Sequence, residues 1–87
     1  MAITFPPTET LDGMRMVVSF PADKDEDRIL CAISFEALED NFRGNGIPPL
    51  DCFRANRASI EEMAARFISQ GRFEPDGSIL IRSQDGA

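Results

Sequence analysis

Eighty-seven residues with a mass of 9.6 kDa allow a single domain, and with no His, Trp or Tyr and only two Cys the chain lacks most side chains that carry acid/base, nucleophilic and metal chemistry near neutral pH. Fifteen acidic against nine basic side chains give a net charge of −6 and a pI near 4.4, which repels a phosphate backbone at long range and disfavours generic nucleic-acid binding. A folded chain of this size buries only about 60–65% of its unfolded surface, so most of its apolar residues are committed to a small core.

The charge is unevenly placed. Residues 1–40 hold nine acidic and three basic side chains, whereas residues 41–87 hold six of each. Cys31 and Cys52 sit in apolar surroundings rather than in a spaced framework, and Met1-Ala2-Ile3-Thr4-Phe5-Pro6-Pro7 lacks the basic and apolar regions of a signal peptide. Ile29-Leu30-Cys31-Ala32-Ile33, the longest unbroken apolar run, falls far short of the ~20 residues that cross a bilayer. A reducing cytoplasm and no membrane span are the expectation.

Along the chain, Ile3-Thr4-Phe5 before Pro6-Pro7 reads as a short edge strand, because proline cannot donate to a ladder. Met14 to Phe20 alternates, with Met14, Met16, Val18 and Phe20 on one face, and after a charged connection over Asp23 to Asp27 the segment Arg28 to Ile33 alternates again. The pair predicts an antiparallel hairpin. Ser34 predicts the cap of a helix with Glu36 in its first turn and an apolar stripe of Phe35, Leu38 and Phe42. Gly44-Asn45-Gly46 stops it, and Pro48-Pro49 leads stiffly into a longer helical pattern over about Leu50 to Gln70.

Ile60, Met63, Ala64, Phe67 and Ile68 give that pattern the strongest periodicity in the chain. Continuity or a slight kink is the favoured reading; Ser59 with Glu62 also matches a capping box, which would instead split it by a bend at Ala58-Ser59. Arg72-Phe73-Glu74, Pro75-Asp76-Gly77 and Ser78 to Arg82 read as strand, turn and strand. The order ββ(β)ααββ predicts an α+β domain over residues 1–83, an antiparallel sheet of four to five strands with two helices packed on one face, and a frayed tail over 84–87.

Several constellations invite a chemical role. Asp23-Lys24-Asp25-Glu26-Asp27 opens like a calcium loop, but Arg28 stands where glycine is needed and Ser34 where a bidentate glutamate is, so it reads as a solvated hairpin tip. Cys31 and Cys52 are the available nucleophiles, yet no histidine is present to lower a thiol pKa, and both read as packing residues. Glu36 and Asp40 at i and i+4 read as a solvated helix face, and Gly44-Asn45-Gly46 as a helix stop instead of a phosphate loop. No metal and no cofactor are expected.

Arg57 is the residue out of place. On a continuous helix it lies about 40° from Phe53, inside the apolar stripe, where a guanidinium needs a partner. Glu61 one turn on would supply a structural ion pair; Arg54 at i−3 would make a ligand-facing or partner-facing pair with it. Arg54 and Arg57 are therefore the candidate binding residues.

Three segments taken together, Cys31-Ala32-Ile33-Ser34-Phe35-Glu36-Ala37-Leu38, Phe53-Arg54-Ala55-Asn56-Arg57-Ala58-Ser59-Ile60-Glu61 and Asp76-Gly77-Ser78-Ile79-Leu80-Ile81, resemble the small bacterial proteins grouped as domain-of-unknown-function family 1488. The likeness runs over nearly the whole chain and rests on order and spacing. It implies a compact α+β fold in a proteobacterial cytoplasm and brings no activity, cofactor or catalytic residue.

The expectation is a non-catalytic cytoplasmic module that binds a protein partner or another copy of itself, through an uncovered sheet face carrying Val17, Leu30 or Leu80. The alternative is a nucleic-acid-linked regulator using Arg43, Arg54, Arg57, Arg66 and Arg72, although Asp51, Glu61 and Glu62 interleave with them.

Overall fold

The computed structural model describes residues 2–86. The chain runs through β1 (Ile3–Thr4), β2 (Thr10–Asp12), β3 (Val17–Lys24), β4 (Asp27–Ser34), α1 (Phe35–Phe42), α2 (Pro49–Ala55), α3 (Arg57–Ser69), β5 (Ile79–Ile81) and a 3-10 turn over Ser83–Gly86. The β3–β4 hairpin is the scaffold, in register from Lys24↔Asp27 to Val17↔Ser34, and Asp25 takes the left-handed conformation in its two-residue tip. The acidic tip is therefore a tight turn at the end of an antiparallel hairpin, as expected from the alternation.

β1 and β2 share the outer edge of β3. Thr4 pairs with Asp23 and Thr10 with Ser19, so residues 5–9 pass a β3 stretch of only residues 20–22 and bulge outward at Pro6-Pro7. Pro21 lies opposite this gap. A proline has no N–H for a ladder, and here its side of β3 has no partner strand to miss it.

The fold class is α+β with five strands among the described residues; β2 has no counterpart among the expected strands, and three further elements differ from expectation. The sheet is mixed, because β5 pairs parallel with β4 (Cys31↔Ile79, Ile33↔Ile81) instead of closing a hairpin with Arg72-Phe73-Glu74, which forms no strand. The turn residues behave as read, with Gly77 at φ 87° and its N–H on Glu74 O. Local turn chemistry was legible, and the partner strand, whose paired residues lie 48 positions away in sequence, was not.

Second, the described residues form three helices instead of two. The break falls at Asn56 (φ −119°, ψ 19°), not at Ala58-Ser59, and Asn56 Nδ2 donates to the Cys52 carbonyl at 2.9 Å. A short amide that satisfies its own backbone competes with helix continuation. Third, Met14 and Met16 are not strand residues: both are exposed in the turn before β3, where Met16 adopts φ 58°.

α1 begins as expected, with Ser34 Oγ accepting from Ala37 N–H at 3.0 Å. At its end Arg43, not a glycine, takes the left-handed conformation (φ 56°). Gly44 is needed for closeness: a Cβ there would lie 2.9 Å from both Cys52 Sγ and the Leu38 carbonyl oxygen. The segment expected to fray from residue 84 starts as the 3-10 turn, held by Asn41 Nδ2 on Ser83 O at 2.9 Å; Ala87 lies outside the described residues.

All helices pack on one face of the sheet. Val18, Phe20, Ala22, Cys31, Ile33, Ile79 and Ile81 share that face by register and meet Leu38, Phe53, Ile60, Ala64, Phe67 and Ile68. Phe20 and Phe53 stack tilted at its centre, ring centroids 5.1 Å apart.

Candidate functional site

The candidate arginines flank the helix break. Arg54 closes α2 and Arg57 opens α3, and one carboxylate serves both: Arg54 Nε donates to Glu9 Oε2 at 2.8 Å, and Arg57 Nη2 donates to Glu9 Oε1. Glu9 belongs to the bulge before β2, whose extra residues take it out of the ladder and aim it at the helices. Its side chain is only 11% exposed. Glu61 Oε2 lies 3.5 Å from Arg57 Nη1, and the guanidinium sits 4.9 Å from the centre of the Phe53 ring.

The partner expected for Arg57, Glu61, is thus present but secondary. Arg57 Nη1 is buried without a hydrogen bond, so the geometry is an ion cluster incompletely satisfied on one side. Glu9 was missed because it lies 45 and 48 residues from its partners. Its one sequence signal is a lone carboxylate after Pro6-Pro7, at the point where a strand must be interrupted.

The other arginines are also largely engaged. Arg72 Nη2 donates to Asp85 at 3.0 Å while its guanidinium lies 4.0 Å from the Phe67 ring centre; Arg82 donates to both Glu74 oxygens at 2.7 and 3.2 Å, a fork that pushes its pKa up. Asp23 and Arg28 face each other across the hairpin and pair, raising Arg28 in the same way. Of the five arginines considered as a phosphate patch, only Arg43 and Arg66 have no carboxylate partner among the described residues.

Both thiols are buried. Burial pushes the Cys31 thiol up to about 12; burial also raises Cys52, opposed by a hydrogen bond from Asn56. Neither is a thiolate near neutral pH, and neither is open to a substrate. Glu36 and Asp40 point to solvent, with Asp40 accepting from Ser83 Oγ, and among the described residues no group of three or more His, Cys, Asp or Glu side chains is placed to hold a metal ion.

Opposite the helices, the sheet face is bare of helix. Pro21 and Leu30 pair across the hairpin there, with Ala32 and Leu80 paired beside them, and Leu30 is 50% exposed. Leu80 is half-buried, and Val17, expected on this face as part of an exposed patch, is in fact buried. A separate notch of about 250 Å³ opens at the β5 edge, lined by Phe67, Arg72, Phe73, Glu74, Leu80 and Arg82. No helix among the described residues is long and apolar enough to cross a membrane.

A hairpin extended by a distant parallel strand, with three helices among the described residues packed on one face, defines a small α+β domain. Residues 3–81 match the profile described as "Protein of unknown function (DUF1488)", and the chain belongs to that family. It is similar to the uncharacterized protein YrdB of Escherichia coli K12, 33% identical over 81 residues that make up 92% of this chain and 95% of that protein, and to YrdB of Shigella flexneri at the same identity and coverage. A crystal structure of a DUF1488 protein of unknown function from Shewanella loihica PV-4 superposes with a TM-score of 0.77 at 28% identity, over 91% of this chain and 90% of that one.

Proposed function

We propose that the protein is a non-catalytic module of the bacterial cytoplasm that binds a protein partner, a second copy of itself included, through the helix-free face of its sheet. The observation that carries this reading is Leu30, half-exposed beside Pro21 and the half-buried Leu80 on a face that no helix among the described residues covers. Burying such a side chain against a partner gains about 1–2 kcal/mol, and adjoining apolar residues add to it. The pairing of Arg54, Arg57 and Arg72 with carboxylates speaks against the nucleic-acid alternative, since cations already neutralised release few counterions from a phosphate backbone. Two neutral buried thiols and the absence of histidine support a non-enzymatic role.

Light scattering over a protein concentration series at about 50 and 200 mM salt tests it. Association should appear with weak salt dependence and disappear in Leu30→Lys. A strictly monomeric protein that binds fluorescent DNA or RNA with an affinity falling steeply over that salt interval would replace the proposal with the alternative.

A further inference from the structure

The β5 edge carries a second feature, which meets the helix-free face at Leu80. Pro21 has no N–H, so Pro21↔Leu30 is a pair without ladder bonds, and by alternation Leu30 and Ala32 direct their backbone groups to β5. Ala32 therefore bonds to Ile79 and Ile81, and the outward-facing positions of the edge are Ser78, Leu80 and Arg82. The first and last of these are closed by the chain itself. Ser78 N–H donates to Asp76 Oδ1 at 3.0 Å and its carbonyl accepts from Glu74 N–H at 2.7 Å; Arg82 N–H donates to Asp85 Oδ2 at 2.8 Å and its carbonyl accepts from Asp85 N–H at 3.0 Å.

Between them the N–H and C=O of Leu80 have no partner among the described residues. They lie at the notch, where Phe73 and Leu80 stand beside charges that are already matched, Arg72 with Asp85 and Arg82 with Glu74, and where the buried Phe67 ring lies under the Arg72 guanidinium. Phe73 is 43% exposed, an aromatic ring left in water beside an open amide. We infer that this notch binds one residue of an extended polypeptide, its N–H and C=O paired with those of Leu80 and its apolar side chain seated against Phe73.

Three features select that ligand class. A lone N–H and C=O on a strand edge is complementary to one extended peptide residue, the unit of strand addition. The closed positions two residues away on either side forbid a longer ladder, which also keeps the edge from pairing indiscriminately. A volume of about 250 Å³ lies below the ~300–1,000 Å³ of sites for drug-sized molecules, and with its arginines internally paired the notch has no unmatched cation for a phosphate or carboxylate.

The test uses the intact ¹⁵N-labelled protein and two probes, N-acetyl-leucine N-methylamide and its glycine counterpart, each one residue between two amides. Two hydrogen bonds and one seated side chain support a Kd in the range of about 1–10 mM. The leucine probe should shift the Leu80 amide proton downfield saturably, the glycine probe should bind about fivefold more weakly, and Phe73→Ala should weaken the leucine probe by a similar factor. Before any probe is added, the Leu80 amide should exchange with solvent faster than those of Ser78 and Arg82. No saturable shift at about 50 mM, shifts centred on Leu30 instead of Leu80, or a Leu80 amide as protected as Ile81 would each overturn the inference. Because Leu80 borders both surfaces, the same readouts are taken on Leu30→Lys, in which the notch is tested apart from association through the helix-free face.

Discussion

Adjacent residues of one strand live in opposite surroundings. Cys31 on β4 is fully buried, with Phe20 across the ladder and the helices above, and its thiol is pushed up to about 12; Leu30, one position earlier, is half in water. The alternation of a strand delivers both, but only the covered face is backed by a second layer, from α1, α2 and α3. The difference assigns stability to the covered face and leaves Leu30 on the other free for contact, while Val17 and Ala32 on that side are buried. Substitutions on the two faces should therefore separate cleanly into losses of folding and losses of association.

The largest effect belongs to the covered face: Ile33→Ala should cost about 3 kcal/mol in urea unfolding, as truncation of a fully buried side chain leaves a cavity. Next is the clamp that ties the helices over that face. Glu9→Gln leaves Arg57 partly buried with only the more distant Glu61 carboxylate and should cost about 2 kcal/mol, whereas Arg54→Ala, whose side chain is 54% exposed, should cost less than about 1 kcal/mol in the same assay. Equal melting curves for Glu9→Gln and wild type would show that the clamp does not hold the helices.

The thiol gives a test by pH. The folded-state pKa of Cys31 is raised from an ordinary value of 9.0 to about 12, so its contribution is whole below about pH 9 and is lost as pH rises toward 12, where the unfolded chain ionises and the folded one does not. The loss by pH 10 is about 1.4 kcal/mol, and Cys31→Val should remove that part of the alkaline slope. The smallest effect on folding is expected at Leu30: Leu30→Lys should change stability by less than about 0.5 kcal/mol while abolishing association. A Leu30→Lys protein that unfolds as readily as Ile33→Ala would erase the distinction between the faces.

What could be read in the sequence was local. The hairpin, the Ser34 cap, the apolar stripe of α3 and the turn at Pro75-Asp76-Gly77 are each written in residues within a few positions of one another. The helix break at Asn56 was hidden because an amide bonding back to Cys52 competes with a periodicity that continues through it. The parallel placement of β5, the role of Glu9 and the burial of Val17 depend on tertiary neighbours, and no spacing rule encodes them. Arg57 stands out in the sequence as a cation that needs a partner; the carboxylate that meets it, Glu9, lies 48 residues away.

The parallel joining of β5 to β4 also bears on the order of assembly. Cys31 and Ile79 are 48 positions apart (79 − 31), so this pairing closes a long loop, while the β3–β4 hairpin closes a two-residue one and forms early. Until β5 arrives, Ala32 presents its open backbone groups on an unguarded edge, flanked by the bare apolar side chains of Ile29, Cys31 and Ile33. Such an intermediate is suited to pairing with another chain in the same state. The three residues Ile79–Ile81 therefore end a hazardous interval of folding, and weakening them at Ile79 or Ile81 should show first as faster unfolding and as aggregation on refolding at high protein concentration.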